Sequence, residues 1–399
     1  MEMIASKLKR PLTLLSLSAL LVGGLSACDD LQRKATAVYM EFNQNLTEED
    51  APQVFEEQGQ QYSVQAVVDG LEFPWDFVFV SETEILLTEK PGRLNRINLH
   101  TGERTEIAGT PEVVYRGQGG LMGVVLAPDF QRSQTLYLSY SKKVADGYTT
   151  ALMKARLSGD KLLDQELIFT AEPALQGKGH YGAAMVFDND GYLFLSVGER
   201  QQRQYAQKLD NHLGKILRFD KNGKVPANNP FVGNNSAKPE IYSYGHRNPQ
   251  GLAIHPVTGD LWDSEHGPQG GDEVNIIKAG ANYGWPVITY GEEYGGGEIG
   301  PTKQEGMEQP EYYYVPSIAT AGISFYQGEL FPAWKNSLFV TALRGLHLNR
   351  IDFSTTGQDP SENRMLEPVK MRLRAVKESP SGELFVLSEN GSLLRLSPQ

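Results

Sequence analysis

The sequence is short of several things, and each shortage removes a class of function. Its 399 residues contain one cysteine, Cys28, which excludes an intrachain disulfide, a cysteine-based zinc site and a thiol with a resolving partner. Positive charge is in deficit: 37 Lys and Arg stand against 49 Asp and Glu, a net −12. No basic stripe is present to neutralise a nucleic-acid backbone, so no nucleic-acid partner is expected and a small neutral or cationic one is. No amphipathic stretch is long enough for a ten-residue helix after Tyr62. His-Glu-x-x-His, Gly-x-Ser-x-Gly, a Walker loop and a strand–Gly-x-Gly-x-x-Gly–helix unit are all missing. Zinc hydrolase, serine hydrolase, nucleotide hydrolase and nicotinamide chemistry therefore lack their residues.

What is present begins with an address. Lys7, Lys9 and Arg10 precede an apolar run from Leu12 to Val22 that is too short to span ~30 Å of hydrocarbon, the pattern of an export signal. It ends in Leu25-Ser26-Ala27-Cys28, which resembles a bacterial lipobox. Residues 1–28 therefore read as a lipoprotein signal with Cys28 as the lipidated residue. The expected location is the periplasmic side of a membrane, inner or outer. Removing residues 1–27 takes away a net +2 and leaves −14 on the mature chain. Residues 29–61, rich in Gln, Glu and Asn, read as a flexible tether.

From Tyr62 onward one phrase recurs: a turn with Gly or Asp, then a strand with apolar residues at alternate positions and a polar end. It appears at Asp188–Glu199, at His255–Glu265 and at Ser379–Glu389, with an earlier version at Ser81–Leu99. Irregular hairpin-sized repeats predict an all-β, six-bladed β-propeller over residues 62–399, since ~40–60 residues per blade fit six units. The segment from Pro286 to Val315, with Gly295-Gly296-Gly297 and Tyr312-Tyr313-Tyr314, reads as a loop that shapes a site.

Two segments concentrate polar chemistry. In Tyr244–Ala253 the sequence Gly245-His246-Arg247-Asn248-Pro249-Gln250-Gly251 places an arginine, suited to carboxylate or quinone oxygens, in a turn; a turn held by its own side chains is the plainer alternative. Ser264–Glu273 is a loop dense in backbone carbonyls and carboxylates, the ligands calcium takes.

Taken in order, Gly117-Gln118-Gly119-Gly120-Leu121, Gly179-His180-Tyr181-Gly182, Gly245-His246-Arg247-Asn248-Pro249-Gln250, Glu265-His266-Gly267-Pro268 and Asn282-Tyr283-Gly284-Trp285-Pro286 resemble the glucose/sorbosone dehydrogenase family. Its soluble members are aldose sugar dehydrogenases dependent on pyrroloquinoline quinone (PQQ). The resemblance implies a six-bladed propeller and oxidation of aldose sugars to lactones. It implies PQQ and Ca²⁺ as cofactors, an electron acceptor in the respiratory chain, and a monomer or dimer. By the same resemblance His180 is the general base, Glu199 orients it and Arg247 stabilises developing negative charge. Gln118, Asn248, Arg344, Arg372 and Arg374 join Arg247 in binding the cofactor. The carbonyls of Gly267 and Pro268 hold calcium, with Glu273 and Tyr283 at a second calcium site. Arg372 and Arg374, two apart on a strand, are expected to share a face.

The chain departs from the family pattern at three places. Ala183-Ala184 occupy positions that usually end in Arg, so a cation near the base is expected to be lost; Glu199 replaces Asp; and Asp76 follows Trp75. Two other readings remain open: a propeller lactonase, in which the arginines at 344, 372 and 374 would have no purpose, and a binding propeller without cofactor.

Overall fold

The computed structural model describes Leu46 and residues 50–145, 147–353 and 360–399. The signal segment, Cys28 and most of the expected tether lie outside those residues.

Six antiparallel sheets follow one another along the chain, each a meander of four strands apart from a five-stranded last one. Their first strands, Pro74–Phe79, Leu121–Leu126, Met185–Phe187, Pro249–Ile254, Thr320–Phe325 and Leu373–Glu378, each contact the next, and the sixth contacts the first. That closed ring is the axis of a six-bladed β-propeller, with blades 1 to 6 numbered in this order. Helix is confined, among the described residues, to Phe130–Ser133 and three short 3-10 turns.

The core lies between blades. Second strands such as Leu193–Val197 and Leu384–Ser388 are buried at every position, because both sheet faces are covered by a neighbour. One apolar cluster joins Leu86 and Leu94 of blade 1 to Leu121, Leu138 and Met153 of blade 2. No blade can bury both faces alone, which is why the repeat closes on itself.

Closure uses both ends of the described chain. In blade 6, Gln60–Val68 pairs with Leu393–Pro398, from Tyr62 opposite Pro398 to Val68 opposite Leu393. Gln53–Glu57 then adds an outermost strand. The boundary expected at residue 61 is therefore corrected: residues 53–61 belong to the propeller. The outer strand is locked to blade 5 by Glu57, which accepts from Trp334 Nε1 at 2.8 Å and from Arg350 at 2.7 Å. The expected 286–315 loop is also shorter, because Tyr312–Tyr314 forms the outer strand of blade 4 opposite Asp272–Val274.

Candidate active site

In an antiparallel blade the start of the inner strand lies beside the end of the second strand, as in Pro249 opposite Glu265 and Met185 opposite Leu195. Residues just before inner strands and just after second strands therefore share one mouth of the channel. Gln118, His180, Arg247, Asn248 and Arg372 precede inner strands, with Arg374 one residue inside. Lys90, Glu199, His266, Gly267, Pro268, Arg344 and Glu389 follow second strands. Topology alone brings residues from all six blades to one face.

His180 sits in a loop held from every side. Its φ is +52°, in the left-handed region that histidine visits more readily than most residues. The backbone N–H of His180 donates to Gln118 Oε1 at 2.6 Å, and Gly182 N–H donates to Asn248 Oδ1 at 3.1 Å. Gly182 has φ +66°, and a Cβ there would lie 2.8 Å from the Gly198 nitrogen, so the loop approaches the strand bearing Glu199 as only glycine permits. Glu199, buried, meets His180 Nδ1 at 2.6 Å. A carboxylate on Nδ1 places the ring proton there and leaves Nε2 with its lone pair.

A cation lies behind this loop, though not at Ala184. Arg200 is fully buried behind the His180 loop and donates to the carbonyls of Gly179 at 2.9 Å, Tyr148 at 2.6 Å and Gly177, with its guanidinium 3.7 Å from the Tyr181 ring. Sequence reasoning missed it because it follows Glu199 rather than His180.

Arg247 is fixed through its backbone. Its N–H donates to Glu265 Oε2 at 2.7 Å, and its carbonyl accepts from Glu199 N–H at 2.9 Å. Glu265 is itself held by His246 Nδ1 at 3.0 Å, and that imidazole stacks on Tyr283. Burial pushes the neighbouring His266 well below its ordinary pKa, and Arg247, Arg374 and His180 add to the effect. His180, Arg247, His266 and Arg374 thus converge.

Blade 6 supplies the charge. Arg372 and Arg374 share a face as expected, and both clasp Glu389, at 2.6 and 2.9 Å. Burial alone would raise the Glu389 carboxyl, but Arg374, Arg372 and Lys90 hold it well below the usual carboxylate range. Arg374 also donates to Gln250 of blade 4 at 2.5 Å and lies 4.1 Å from the Trp75 ring of blade 1. Arg344 stands on the same face with an exposed side chain, outside this cluster.

Of the expected metal residues, Gly267, Glu273 and Tyr283 line one narrow cavity of about 10 Å³ with Arg247, Glu265 and His266. A Cβ at Gly267 would sit 2.2 to 2.3 Å from the carbonyls of Gly270 and Gly271, so the turn admits only glycine. Pro268 packs against Gly291 beside it. The Tyr283 phenol donates to the Ile276 carbonyl at 2.6 Å and accepts from Lys278 N–H, so its hydroxyl is already committed within the protein. Sequence reasoning missed Asp263, which with His246 and Glu265 forms a buried cluster of metal-ligand type. Burial raises the Asp263 and Glu273 carboxyls, and their mutual neighbour Glu265 raises them further.

Fold and site together define a propeller enzyme: an imidazole–carboxylate pair and a cluster of cations around Glu389 share one mouth of the channel. The Glucose / Sorbosone dehydrogenase family profile matches residues 71–395, and the chain belongs to that family. It is 41% identical over 347 residues to aldose sugar dehydrogenase YliI of Escherichia coli, covering 84% of this chain and 93% of that one. The apo-form crystal structure of the E. coli soluble aldose sugar dehydrogenase superposes with a TM-score of 0.81 at 39% identity, over 85% of this chain and 100% of that one. The PQQ-bound aldose sugar dehydrogenase of Streptomyces coelicolor gives 0.70 at 27% identity, over 89% and 100%.

Proposed function

We propose that this protein is a PQQ-dependent aldose sugar dehydrogenase that oxidises the anomeric carbon of its sugar to a lactone. The observation that carries the reading is the His180–Glu199 pair at 2.6 Å on the same mouth as the Arg372–Arg374–Glu389 cluster. The names of its relatives, aldose sugar dehydrogenases of which one was solved with PQQ, support it.

The residues fit the quinone. Arg247 Nε, Asn248 Nδ2, His266 Nε2 and Arg374 Nε are buried without a partner, a costly state unless a ligand supplies acceptors. Arg372 and Arg374 would hold its carboxylates, and Arg247 and Asn248 would face its ring oxygens. When bound, the quinone supplies the acceptor for the electron pair that leaves the sugar. His180 Nε2 takes the proton of the anomeric hydroxyl, Glu199 stabilises the imidazolium that results, and Arg247 offers positive charge where an oxyanion develops.

Calcium fits as well. The Gly267 backbone and the carboxylates of Glu265 and Glu273 bring oxygen donors to a cavity the size of one ion or water, with Pro268 next to Gly267 in the chain. There it would supply Lewis acidity and neutralise crowded carboxylates. We further propose that Cys28 is lipidated, that the enzyme works on the periplasmic side of a membrane, and that its electrons pass to the respiratory chain. The supporting pattern is the basic, apolar and lipobox order of residues 7–28; the mass of the mature N-terminus tests it.

Reconstitution of the purified protein with PQQ and Ca²⁺, followed by dye reduction with glucose and other aldoses, tests the main reading. Turnover that requires the quinone is expected; the absence of quinone-dependent turnover with every aldose would overturn it.

A further inference from the structure

We propose that Lys90 is a third cation of the carboxylate-binding cluster, so that the anionic end of the bound cofactor is held by Lys90 together with Arg372 and Arg374. This rests on the quinone reading above.

Lys90 follows the second strand of blade 1, on the mouth face, and is only 8% exposed. Its ammonium donates to the Gly117 carbonyl at 2.9 Å. The rings of Phe73, Trp75 and Tyr115 lie 5.7 to 6.0 Å from it. Trp75 is also the ring under Arg374, so one indole is shared by the lysine and the arginine. The groups of charge facing Lys90 are Glu389, Arg374 and Arg372 of blade 6, with the Tyr115 phenol beside them. Glu89, its chain neighbour, is taken by Arg93 and Asn95.

The charge count of this pocket does not close. Three cations meet one carboxylate, and that carboxylate already serves both arginines. A surplus near +2 is gathered here inside a protein of net −12, on a buried Lys90 and Arg374 and a half-buried Arg372, and buried charge of one sign calls for a counter-charge. A di- or tricarboxylate supplies it. Arg374 Nε, buried and unpartnered, marks where acceptor oxygens are missing.

Lys90 is also the one member of the trio that titrates in a useful range. Burial pushes its amine down to about 8, against the pull of Glu389 and with the push of Arg374 and Arg372. Carboxylates bind the protonated form, so binding raises this pKa and takes up a proton above pH 8. Affinity is full below pH 8 and declines above it. With about 3% of the free amine protonated at pH 9.5, the loss from pH 7 is about 30-fold.

Titration of the calcium-loaded, quinone-free protein with PQQ, read as quenching of tryptophan fluorescence at pH 7 and 9.5, tests this. Wild type should lose about 30-fold in affinity between the two. Lys90→Met should bind about 10- to 100-fold more weakly at pH 7, the loss expected for one charge-assisted hydrogen bond, and show little pH dependence. Lys90→Arg should restore binding and keep it at pH 9.5. Wild-type affinity in Lys90→Met, or a full pH dependence in Lys90→Met or Lys90→Arg, would overturn the role of Lys90 while leaving the quinone reading intact. Failure of wild type to bind PQQ at either pH would overturn both.

Discussion

Glu199→Gln is the substitution that most sharply separates orientation of the base from its presence. The carboxylate meets His180 Nδ1 at 2.6 Å, and the same oxygen accepts from Gln201 N–H at 3.2 Å. An amide of equal shape keeps the packing but removes the charge. If its oxygen still faces the ring, a charge-assisted bond worth about 1.5–3 kcal/mol to the imidazolium becomes a neutral one, a loss of about tenfold to a hundredfold in rate. If its NH₂ faces the ring instead, Nδ1 must accept, the proton moves to Nε2, and the base can no longer take the sugar proton. That outcome forfeits the whole of general-base catalysis, about 10²- to 10⁴-fold. The expected result is a kcat lower by about 10- to 10⁴-fold, the lower part of that range if the amide oxygen faces the ring, with PQQ affinity within threefold, because Glu199 does not touch the arginine cluster. Dye-coupled turnover gives the first quantity and fluorescence titration the second. A kcat within fivefold of wild type, or a loss confined to PQQ affinity, would refute the assignment of Glu199 to His180.

Three further outcomes follow from the same geometry. Glu57→Ala strands the buried Arg350 guanidinium and Trp334 Nε1; breaking a buried ion pair costs about 3–5 kcal/mol, so Tm should fall by roughly 4–7 °C in calorimetry at this size, and an unchanged Tm would mean that the outer strand does not lock the ring. The Glu389 carboxyl, held below its usual range when folded, contributes stability that is present above its unfolded value of about 4.3 and is lost as pH falls below it; Glu389→Gln should flatten the acid limb of a Tm-against-pH curve by up to one proton, and an unaltered slope would contradict the assignment. Chelation with EGTA should lower Tm and abolish quinone-dependent turnover, with both restored by Ca²⁺; indifference of both to chelation would remove calcium from the account.

Much of this architecture was legible because it is written in local pattern. The phrase Asp188–Glu199 contains its own turn, second strand and polar end, and the structure places Glu199 where the strand stops. Arg372 and Arg374 could be put on one face from their spacing alone. The parts that were not legible depend on partners far away in sequence. Gln53–Glu57 is exposed at three of its five positions and half-buried at a fourth, with no alternation of apolar residues, so nothing local marks it as a strand; its register comes from Gln60–Val64, and its one buried side chain finds Arg350. Arg200 carries no motif, and its importance lies in carbonyls at 148, 177 and 179. Lys90 has no local signal either, since its role comes from Glu389, Arg372 and Arg374, which blade 6 brings against it.

The central claim is that His180 takes a sugar proton beside a quinone held by the arginine cluster. Anaerobic mixing of PQQ- and Ca²⁺-loaded protein with glucose, watching the absorbance of the bound quinone through a single turnover, tests it most directly. Wild type should reduce its quinone, and His180→Ala, binding PQQ with unchanged affinity, should reduce it at least 10²-fold more slowly. Reduction at the wild-type rate by His180→Ala would contradict the account.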